Sequence, residues 1–179
     1  QSLLTATSAT GVQMREDIEK GVFDRFKSLP IARIAPLAGP LVADLVRYLL
    51  CTGFVIVTGL ILGWHIGGSF VAVILAIILA VFFSWSISWI FAFIGQVITS
   101  SAAITGISMT VMMLLTFLSN AFIPVKTLPK FLQAFVNLNP VSHFVTALRD
   151  LLNNGAIHSN FWLLLGLSLV IVVIFDPLT

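Results

Sequence analysis

Apolar residues along this chain form four long runs that polar or glycine-rich segments separate. A helix that crosses the hydrocarbon core of a bilayer needs a run of about 20 apolar residues. The pattern predicts membrane-spanning helices at residues 40–62, 70–95, 102–123 and 160–176. Residues 1–14, which carry no charge, are predicted to be the end of a preceding span. The pattern therefore predicts an all-α fold, a polytopic membrane helix bundle.

The connection between the first two runs is GWHIGGS, at residues 63–69. Its glycines predict a tight turn, and tryptophan is favoured at the depth of the lipid headgroups. The two spans on either side are therefore predicted to form an antiparallel hairpin.

Residues 124–158 differ from the runs because prolines interrupt them. Unsatisfied backbone groups cannot face lipid, so this segment must lie in the interface or against protein. Asn-Pro at 139–140 is typical of a helix start, with Asn139 or Ser142 as the capping residue. We expect two short re-entrant helices here, with Arg149 anchored near the headgroups, to Asp150 or to a carbonyl.

Residues 15–38 combine charges with apolar residues at helical spacing. Pro30 closes the pattern, whose apolar positions are Ile18, Val22, Phe23, Phe26 and Leu29. This arrangement predicts a short amphipathic helix at the membrane surface. It either links two spans or serves as a docking peg for a soluble partner, because mixed charges beside exposed Phe residues suit an interface.

Composition agrees with a bilayer environment. The chain is 59% hydrophobic and 9% charged, and its mean hydropathy is +1.10. A soluble core of 179 residues cannot hide that much apolar surface. The basic residues are scattered and form no stripe for nucleic acid. Cys51, the single cysteine, lies within an apolar run and is expected to be an inert packing residue.

The distribution of Lys and Arg predicts the orientation. Residues 15–38 hold Arg15, Lys20, Arg25, Lys27 and Arg33, whereas residues 121–158 hold Lys126, Lys130 and Arg149. The side with more positive charge is cytoplasmic. We therefore expect residues 15–38 and the C-terminus inside, and residues 63–69 and 121–158 outside.

Charged residues inside spans are costly in lipid and need partners. Asp44 and Arg47 lie three residues apart on one helical face, which favours a structural ion pair. The alternative is that Asp44 faces a path and attracts a cationic substrate. For His143, a hydrogen-bonded packing role is favoured over a proton or substrate role. The three histidines have no metal-ligand spacing.

Two motifs stand out beyond these patterns. The first motif consists of Glu19, Gly21, Arg25, Ser28, Leu29, Pro30 and Ile31. The second consists of Pro129, Pro140, His143 and Arg149 within FLSNAFIPVKTLPKFLQAFVNLNPVSHFVTALRD. Both resemble permeases of the ABC-2 type exporter family, among them the daunorubicin-resistance type drug permeases. Asn120 and Val141 depart from the family pattern without changing its spacing. The resemblance covers the chain from the end of a second span to a sixth span, and we expect sequence to be missing at both ends.

The resemblance implies that this chain is a permease without a nucleotide site of its own. No G-x-x-x-x-G-K loop followed by Ser or Thr is present. ATP and Mg²⁺ would bind to a separate cytoplasmic ABC ATPase subunit, and this chain would need no cofactor. The loop helix would be the coupling helix that docks into that ATPase. Its expected contact residues are Glu19, Gly21, Phe23, Arg25, Phe26, Ser28 and Pro30.

The same resemblance implies a second permease copy, with the substrate path between the two copies. The outer segment would then be an external gate, whose expected residues are Pro124, Pro129, Asn139, Pro140, His143 and Arg149. On the third predicted span, the candidates for the wall of the path are Thr110, Met112, Met113, Thr116, Phe117 and Asn120, because Met and aromatic side chains adapt to different ligands. The other interpretation of these residues is ordinary helix packing or lipid contact.

Three classes of function fit a helical membrane protein of this size. An ATP-driven exporter of a drug, a lipid or a glycan explains both motifs. A membrane-embedded enzyme is disfavoured, because no recognisable catalytic arrangement is present. An ion-coupled carrier or a scaffold would be expected to show a proton relay or an inverted repeat, and neither is visible.

Overall fold

The computed structural model describes residues 2–21, 35–65, 67–119, 130–155 and 157–175. Every element in these ranges is helical, as the apolar pattern predicts. The helices are α1 (Ser2–Glu19), α2 (Ala35–Ile61), α3 (Phe70–Val97), α4 (Ser101–Phe117), α5 (Lys130–Leu138), α6 (Pro140–Arg149) and α7 (Ser159–Phe175). A single π-helical turn, Asp150–Asn154, continues α6.

Among the described residues, two helices are long and apolar enough to cross a membrane: Val42–Ile61 within α2, and α3. The helices α4 and α7 are also apolar but shorter, with 17 residues each. The helix α3 begins at residue 70, as predicted, and continues two residues beyond the predicted end at 95. Ser69 caps its N-terminus by accepting a hydrogen bond from the Ala72 backbone N–H.

The first helix is longer than the sequence pattern indicated. The predicted span ends at residue 14, whereas the helix α1 continues to Glu19. The charged residues 15–20 favour this continuation, since Arg15 pairs with Glu19 and Lys20 pairs with Glu16, each four residues apart. Gly21 follows with a φ of 66°, a left-handed conformation that ends helices. Ile18 therefore belongs to α1, while Val22, Phe23, Phe26 and Leu29 lie outside the described residues.

The fourth helix is shorter than predicted, since α4 ends at Phe117 and the predicted span extended to residue 123. The carbonyls of Leu115 and Leu118 accept hydrogen bonds from the Asn139 side chain. These bonds satisfy groups that a helix end leaves open, which allows the chain to leave the helix there. Residues 120–129 lie outside the described ranges.

The helix α3 is the centre of the bundle, with α1, α2 and α7 packed around it. Its Phe83 is fully buried and stacks on Phe144 of α6, with ring centroids 4.7 Å apart. Leu4, Leu151 and Leu164 complete this core. The buried hydroxyls of Ser84, Ser86 and Ser88 donate to carbonyls of α3 itself, so small side chains face the neighbouring helices without unsatisfied groups.

Glycines bring α1 and α3 into backbone contact. A Cβ built on Gly11 would lie 2.5 Å from the Phe91 carbonyl oxygen. A Cβ on Gly95 would collide with the Gly11 carbonyl oxygen. Only glycine permits this approach, so α1 is held tightly against the central helix at this level.

The turn between α2 and α3 contacts the π turn after α6. The backbone N–H of Gly68 donates to the Leu152 carbonyl at 3.1 Å. Gly63 adopts a φ of 86°, which allows the sharp reversal after α2. This contact places residues 63–69 and 150–155 at one end of the bundle. Glu19 and Ser101, whose side chains approach to 3.5 Å, mark the opposite end.

Candidate functional site

A groove lies between α1 and α4. Its α1 wall is formed by small, polar or β-branched side chains, namely Thr5, Ser8, Ala9, Val12, Gln13 and Glu16. Its α4 wall contains Thr105, Ser108, Met109, Met112, Met113 and Phe117. Three methionines and one aromatic ring give the groove an adaptable apolar surface, and the hydroxyls and the amide supply a few hydrogen-bonding groups. Such a lining suits amphipathic molecules.

The exposed face of α4 belongs to the same surface. Met109, Met113 and Phe117 are all exposed in the single chain. Ser108 lies at the bottom of the groove, and its hydroxyl is buried with no partner among the described residues. Met112, Met113, Thr116 and Phe117, four of the six candidates for the wall of the path, line this groove. Thr110 does not line it, and its hydroxyl donates to the Gly106 carbonyl. Asn120 lies outside the described residues.

A polar contact joins α1 to α2 beside the groove. Asp44 is buried, and its Oδ2 accepts a hydrogen bond of 2.6 Å from the Thr10 hydroxyl. Arg47 Nη1 lies 3.1 Å from Asp44 Oδ1, so the predicted ion pair is present. The Arg47 side chain is 38% exposed and Asp44 only 2%. Asp44 lines none of the described grooves, which supports its structural interpretation over direct substrate contact.

Of the residues expected to contact an ATPase, two are described. Glu19 ends α1, where its carboxylate accepts from Arg15 Nε at 3.0 Å and from the Ser101 hydroxyl at 3.5 Å. Gly21 forms the left-handed end of the helix. Phe23, Arg25, Phe26, Ser28 and Pro30 lie outside the described residues. Glu19 therefore connects α1 to the start of α4, in addition to any contact with a partner.

Four charged side chains at this end of α1 form two ion pairs, Arg15 with Glu19 and Lys20 with Glu16. Lys20 Nζ lies 2.9 Å from Glu16 Oε2. The hydrogen bond with Glu16, followed by its negative charge, raises the pKa of the Lys20 ammonium above its ordinary value. The α1 terminus is thus a folded, charged helix end from which residues 22–34 continue.

Asn139 has two hydrogen-bonding roles between α4 and α6. Its Oδ1 accepts from the Val141 backbone N–H at 2.9 Å and so caps α6, as the sequence predicted. Its Nδ2 donates to the carbonyls of Leu115 at 2.8 Å and Leu118 at 2.9 Å. Pro140 occupies the first turn of α6, where a missing N–H costs nothing. One side chain therefore joins the end of α4 to the start of α6.

His143 connects three elements. Its Nε2 lies 2.8 Å from the Asn137 carbonyl, so this nitrogen must carry a proton and donate. Its Nδ1 lies 3.1 Å from Asn160 Oδ1 in α7. These contacts match the hydrogen-bonded packing role. Arg149 is exposed in the last turn of α6, while Pro124 and Pro129 lie outside the described residues.

The short helix α6 reaches deep into the bundle. Phe144, in its first half, stacks on Phe83, which lies near the middle of α3. Leu152, just beyond α6, accepts from Gly68 before the start of α3. At 1.5 Å of rise per residue, Phe83 and Phe70 are about 20 Å apart along the helix axis. The helix α6 therefore runs from the middle of the bundle to its end.

Two contacts could not be read from the sequence. Thr10 is separated from Asp44 by 34 residues, and nothing in its own spacing marks it as a partner. The bonds from the Asn139 amide to α4 are equally hidden, because a capping role alone explains an Asn before Pro140. Neither segment carries a distinguishing signal, since Thr10 stands among Thr5, Thr7 and Ser8, and Asn139 follows Asn137.

Apolar helices of spanning length, a groove of methionines and hydroxyls, and a short helix that enters the bundle define a polytopic membrane protein of the transport class. Residues 2–153 match the model of the ABC-2 type transporter family, and the chain belongs to that family. It is an ABC-2 type membrane permease domain. The resemblance recognised from the two motifs is thus confirmed.

Two curated relatives are drug-resistance permeases. The daunorubicin resistance ABC transporter permease protein DrrB1 of Streptomyces coeruleorubidus is 40% identical over 182 residues, which cover 100% of this chain and 63% of the relative. The probable doxorubicin resistance ABC transporter permease protein DrrC of Mycobacterium tuberculosis H37Rv is 22% identical over 156 residues, which cover 87% of this chain and 56% of the relative. The chain thus spans less than two thirds of the length of these relatives. No solved structure matches it significantly.

Proposed function

We propose that this chain is the membrane-spanning part of an ATP-driven ABC-2 type exporter that moves hydrophobic or amphipathic molecules out of the cell. The observation that carries the proposal is the combination of family membership with the groove between α1 and α4. The names of the two relatives refer to daunorubicin and doxorubicin, so planar amphipathic drugs are the first substrates to test. Lipids and lipid-linked glycans are the other candidates.

The proposed path is the α1–α4 groove, closed by a second permease copy. The groove is open along one side, and Met109, Met113 and Phe117 would otherwise expose apolar surface there. A second copy that presents the same surface would bury both faces and enclose a chamber. Glu16, at the end of the groove near Gly21, is paired with Lys20, so the groove would offer a substrate its hydroxyls and the Gln13 amide rather than an unpaired carboxylate.

The energy for transport would come from ATP hydrolysis by a separate ATPase that docks at residues 22–34. The helix α1 is one wall of the groove, and it continues directly into this segment at Gly21. A displacement of the segment would therefore act on α1. Glu19 would pass part of it to α4 through Ser101, since its carboxylate contacts both helices. No intervening domain is needed between the motor and the path.

We place the α2–α3 turn and the α5–α6 pair on the outside, as the distribution of Lys and Arg indicates. The helices α5 and α6 would form the external gate as re-entrant helices. The depth that α6 reaches at Phe83 supports this, as does the bond of Asn139 to the end of α4. A movement of α4 would be transmitted to the gate at that point.

The experiment that tests the proposal is copurification of the full-length protein from membranes, followed by an ATPase assay. Arg25→Ala combined with Phe26→Ala alters the docking segment without touching the Glu19–Arg15 and Glu19–Ser101 contacts. We expect this variant to lose the associated ATPase activity by about tenfold, as a loss of ~1.4 kcal/mol of binding free energy would produce. Lys27→Ala is the matched control, because Lys27 belongs to the same segment but not to the expected contact residues.

Nucleotide dependence separates the alternatives. Inside-out vesicles that contain the complex should accumulate daunorubicin with ATP and not with a non-hydrolysable analogue. Uptake driven by a proton gradient alone would support an ion-coupled carrier. A folded protein that recruits no ATPase and moves no compound would support the scaffold.

A further inference from the structure

The Tyr48 side chain is buried where α1, α2 and α3 meet. It is fully buried, and its hydroxyl has no hydrogen-bond partner among the described residues. Its polar neighbours are the hydroxyls of Thr10 and Ser88 and the carboxylate of Asp44. A buried donor without a partner is costly, and nothing outside the three helices reaches this one in the present arrangement. A different arrangement of the same groups is therefore where the Tyr48 hydroxyl has a role.

The two oxygens of the Asp44 carboxylate are held from two different helices. Arg47 lies 3.1 Å from Oδ1 and belongs to α2, as Asp44 does, so this pair moves together with α2. Thr10 donates to Oδ2 at 2.6 Å and belongs to α1. A displacement of α1 relative to α2 therefore separates Thr10 from Oδ2 and leaves Arg47 in place.

Tyr48 is placed to replace Thr10 at that oxygen. It follows Asp44 by one helical turn in α2, so the two side chains lie on one face of the same helix. Side chains of a helix lean toward its N-terminus, which carries the Tyr48 ring toward Asp44. The carboxylate is also the stronger acceptor, because it is charged, whereas the Ser88 hydroxyl is neutral and already donates to the Trp85 carbonyl at 2.7 Å.

We propose that Tyr48 is the alternative hydrogen-bond donor of Asp44, and that it takes the place of Thr10 when α1 moves relative to α2 during the transport cycle. The exchange keeps a donor on the buried carboxylate oxygen in both arrangements, so the movement of α1 leaves no unsatisfied charge behind. The alternative bond itself concerns only residues within α2. Its use during transport rests on the proposed function.

A matched pair of variants at Thr10 tests the alternative bond in the full-length protein in bilayers, without nucleotide. Thr10→Ala removes the hydroxyl and leaves room beside Asp44, whereas Thr10→Val fills the same volume with a methyl group. The readout is the infrared C–O stretching band of the Tyr48 phenol, obtained by subtracting the spectrum of the same protein with Tyr48→Phe. We expect Thr10→Ala to shift this band to that of a hydroxyl that donates to a carboxylate, and Thr10→Val to leave it as in the wild type. The same band in both variants would overturn the proposal.

A second pair of spectra identifies the acceptor. Ser88 is the other nearby group that could accept from the Tyr48 hydroxyl. Ser88→Ala combined with Thr10→Ala removes this acceptor and leaves Asp44 intact. We expect the shifted Tyr48 band to persist in the double variant. Its return to the wild-type position would identify Ser88 as the acceptor and contradict the proposal.

ATP-dependent daunorubicin uptake then tests the use of the exchange in transport. Tyr48→Phe keeps the ring and removes only the hydroxyl, so we expect uptake to fall by about tenfold while the amount of copurifying ATPase is unchanged. The control is Thr7→Val, which removes a buried hydroxyl that bonds within α1 and should keep the wild-type rate. Equal rates for the two variants would overturn the exchange during transport. Failure of the proposed function has a different signature, namely no ATP-dependent uptake by the wild type while Thr10→Ala still shifts the Tyr48 band.

Discussion

The Thr10 hydroxyl donates a 2.6 Å hydrogen bond to Asp44 Oδ2 and thereby joins α1 to α2 inside the bundle. Arg47 approaches the other carboxylate oxygen from the same helix as Asp44. The bond lies two turns before the end of α1, from which residues 22–34 continue. It therefore holds the wall of the α1–α4 groove to a neighbouring span near the proposed docking segment.

Thr10→Val should lower the free energy of unfolding by about 1–3 kcal/mol, because a buried carboxylate oxygen loses its partner. The control is Thr7→Val. Thr7 is also buried in α1, but its hydroxyl donates to the Leu4 carbonyl of the same helix. Thermal unfolding in detergent, followed by circular dichroism, should show a clearly larger decrease for Thr10→Val. Equal decreases would mean that the Thr10–Asp44 contact between α1 and α2 contributes nothing to stability.

Removal of Asp44 alone should destabilise the protein more than removal of both Asp44 and Arg47. Asp44→Leu leaves the Arg47 cation without its partner, which in a buried pair costs roughly 3–5 kcal/mol. The effect should fall below that range, because Arg47 is 38% exposed. Asp44→Leu combined with Arg47→Leu should recover part of the loss. The test is the melting temperature of the three proteins, and a double variant less stable than Asp44→Leu would be incompatible with a structural pair.

Gly95→Ala should separate α1 from α3. The new Cβ would collide with the Gly11 backbone carbonyl, which cannot rotate away as a side chain could. A cost of about 1–3 kcal/mol is expected, as for other forced enlargements of a packed core. Gly166→Ala in α7 is the control, because its Cβ would meet nothing within 4 Å. That control should be neutral or stabilising by up to ~1 kcal/mol, since Ala favours helix more than Gly does.

Asn139→Asp should separate the two roles of this residue. A carboxylate still caps α6 but cannot donate to the Leu115 and Leu118 carbonyls. We expect about 1–3 kcal/mol of destabilisation for each buried carbonyl that loses its partner. Hydrogen exchange should increase at the end of α4 and not in the first turn of α6. Asn137→Asp, the same change at an exposed position, should leave stability and the hydrogen exchange of α4 and α6 unaffected.

The spans were predictable where the hydrophobic effect alone decides the structure. A run of apolar residues has one low-energy solution in lipid, so α3 begins where the pattern placed it. The Asp44–Arg47 pair followed from helical spacing within one element. The family motifs identified the class of protein, and the Asn-Pro pair at 139–140 predicted the helix start, with Asn139 as one of two candidate caps.

Features that depend on contacts between elements were not predictable. Composition stays apolar to Ile123, yet α4 ends at Phe117, where Asn139 bonds two of the last carbonyls. The charges of Arg15 and Glu19 suggest a loop, although their spacing lets them pair on a helix and extends α1. The groove depends on how α1 packs beside α4, about 100 residues further along the chain, which no local pattern encodes.

The π turn at Asp150–Asn154 determines the direction in which the side chains and carbonyls of Leu151 and Leu152 point. A π turn holds one more residue than an α turn, and it is the usual trace of a single inserted residue. Leu151 remains buried and Leu152 accepts the Gly68 N–H only in this phase. Deletion of one residue here would rotate the following chain by about 100°, one residue of a 3.6-residue turn. Homologues that lack this residue must therefore join α6 to the α2–α3 turn by a different contact.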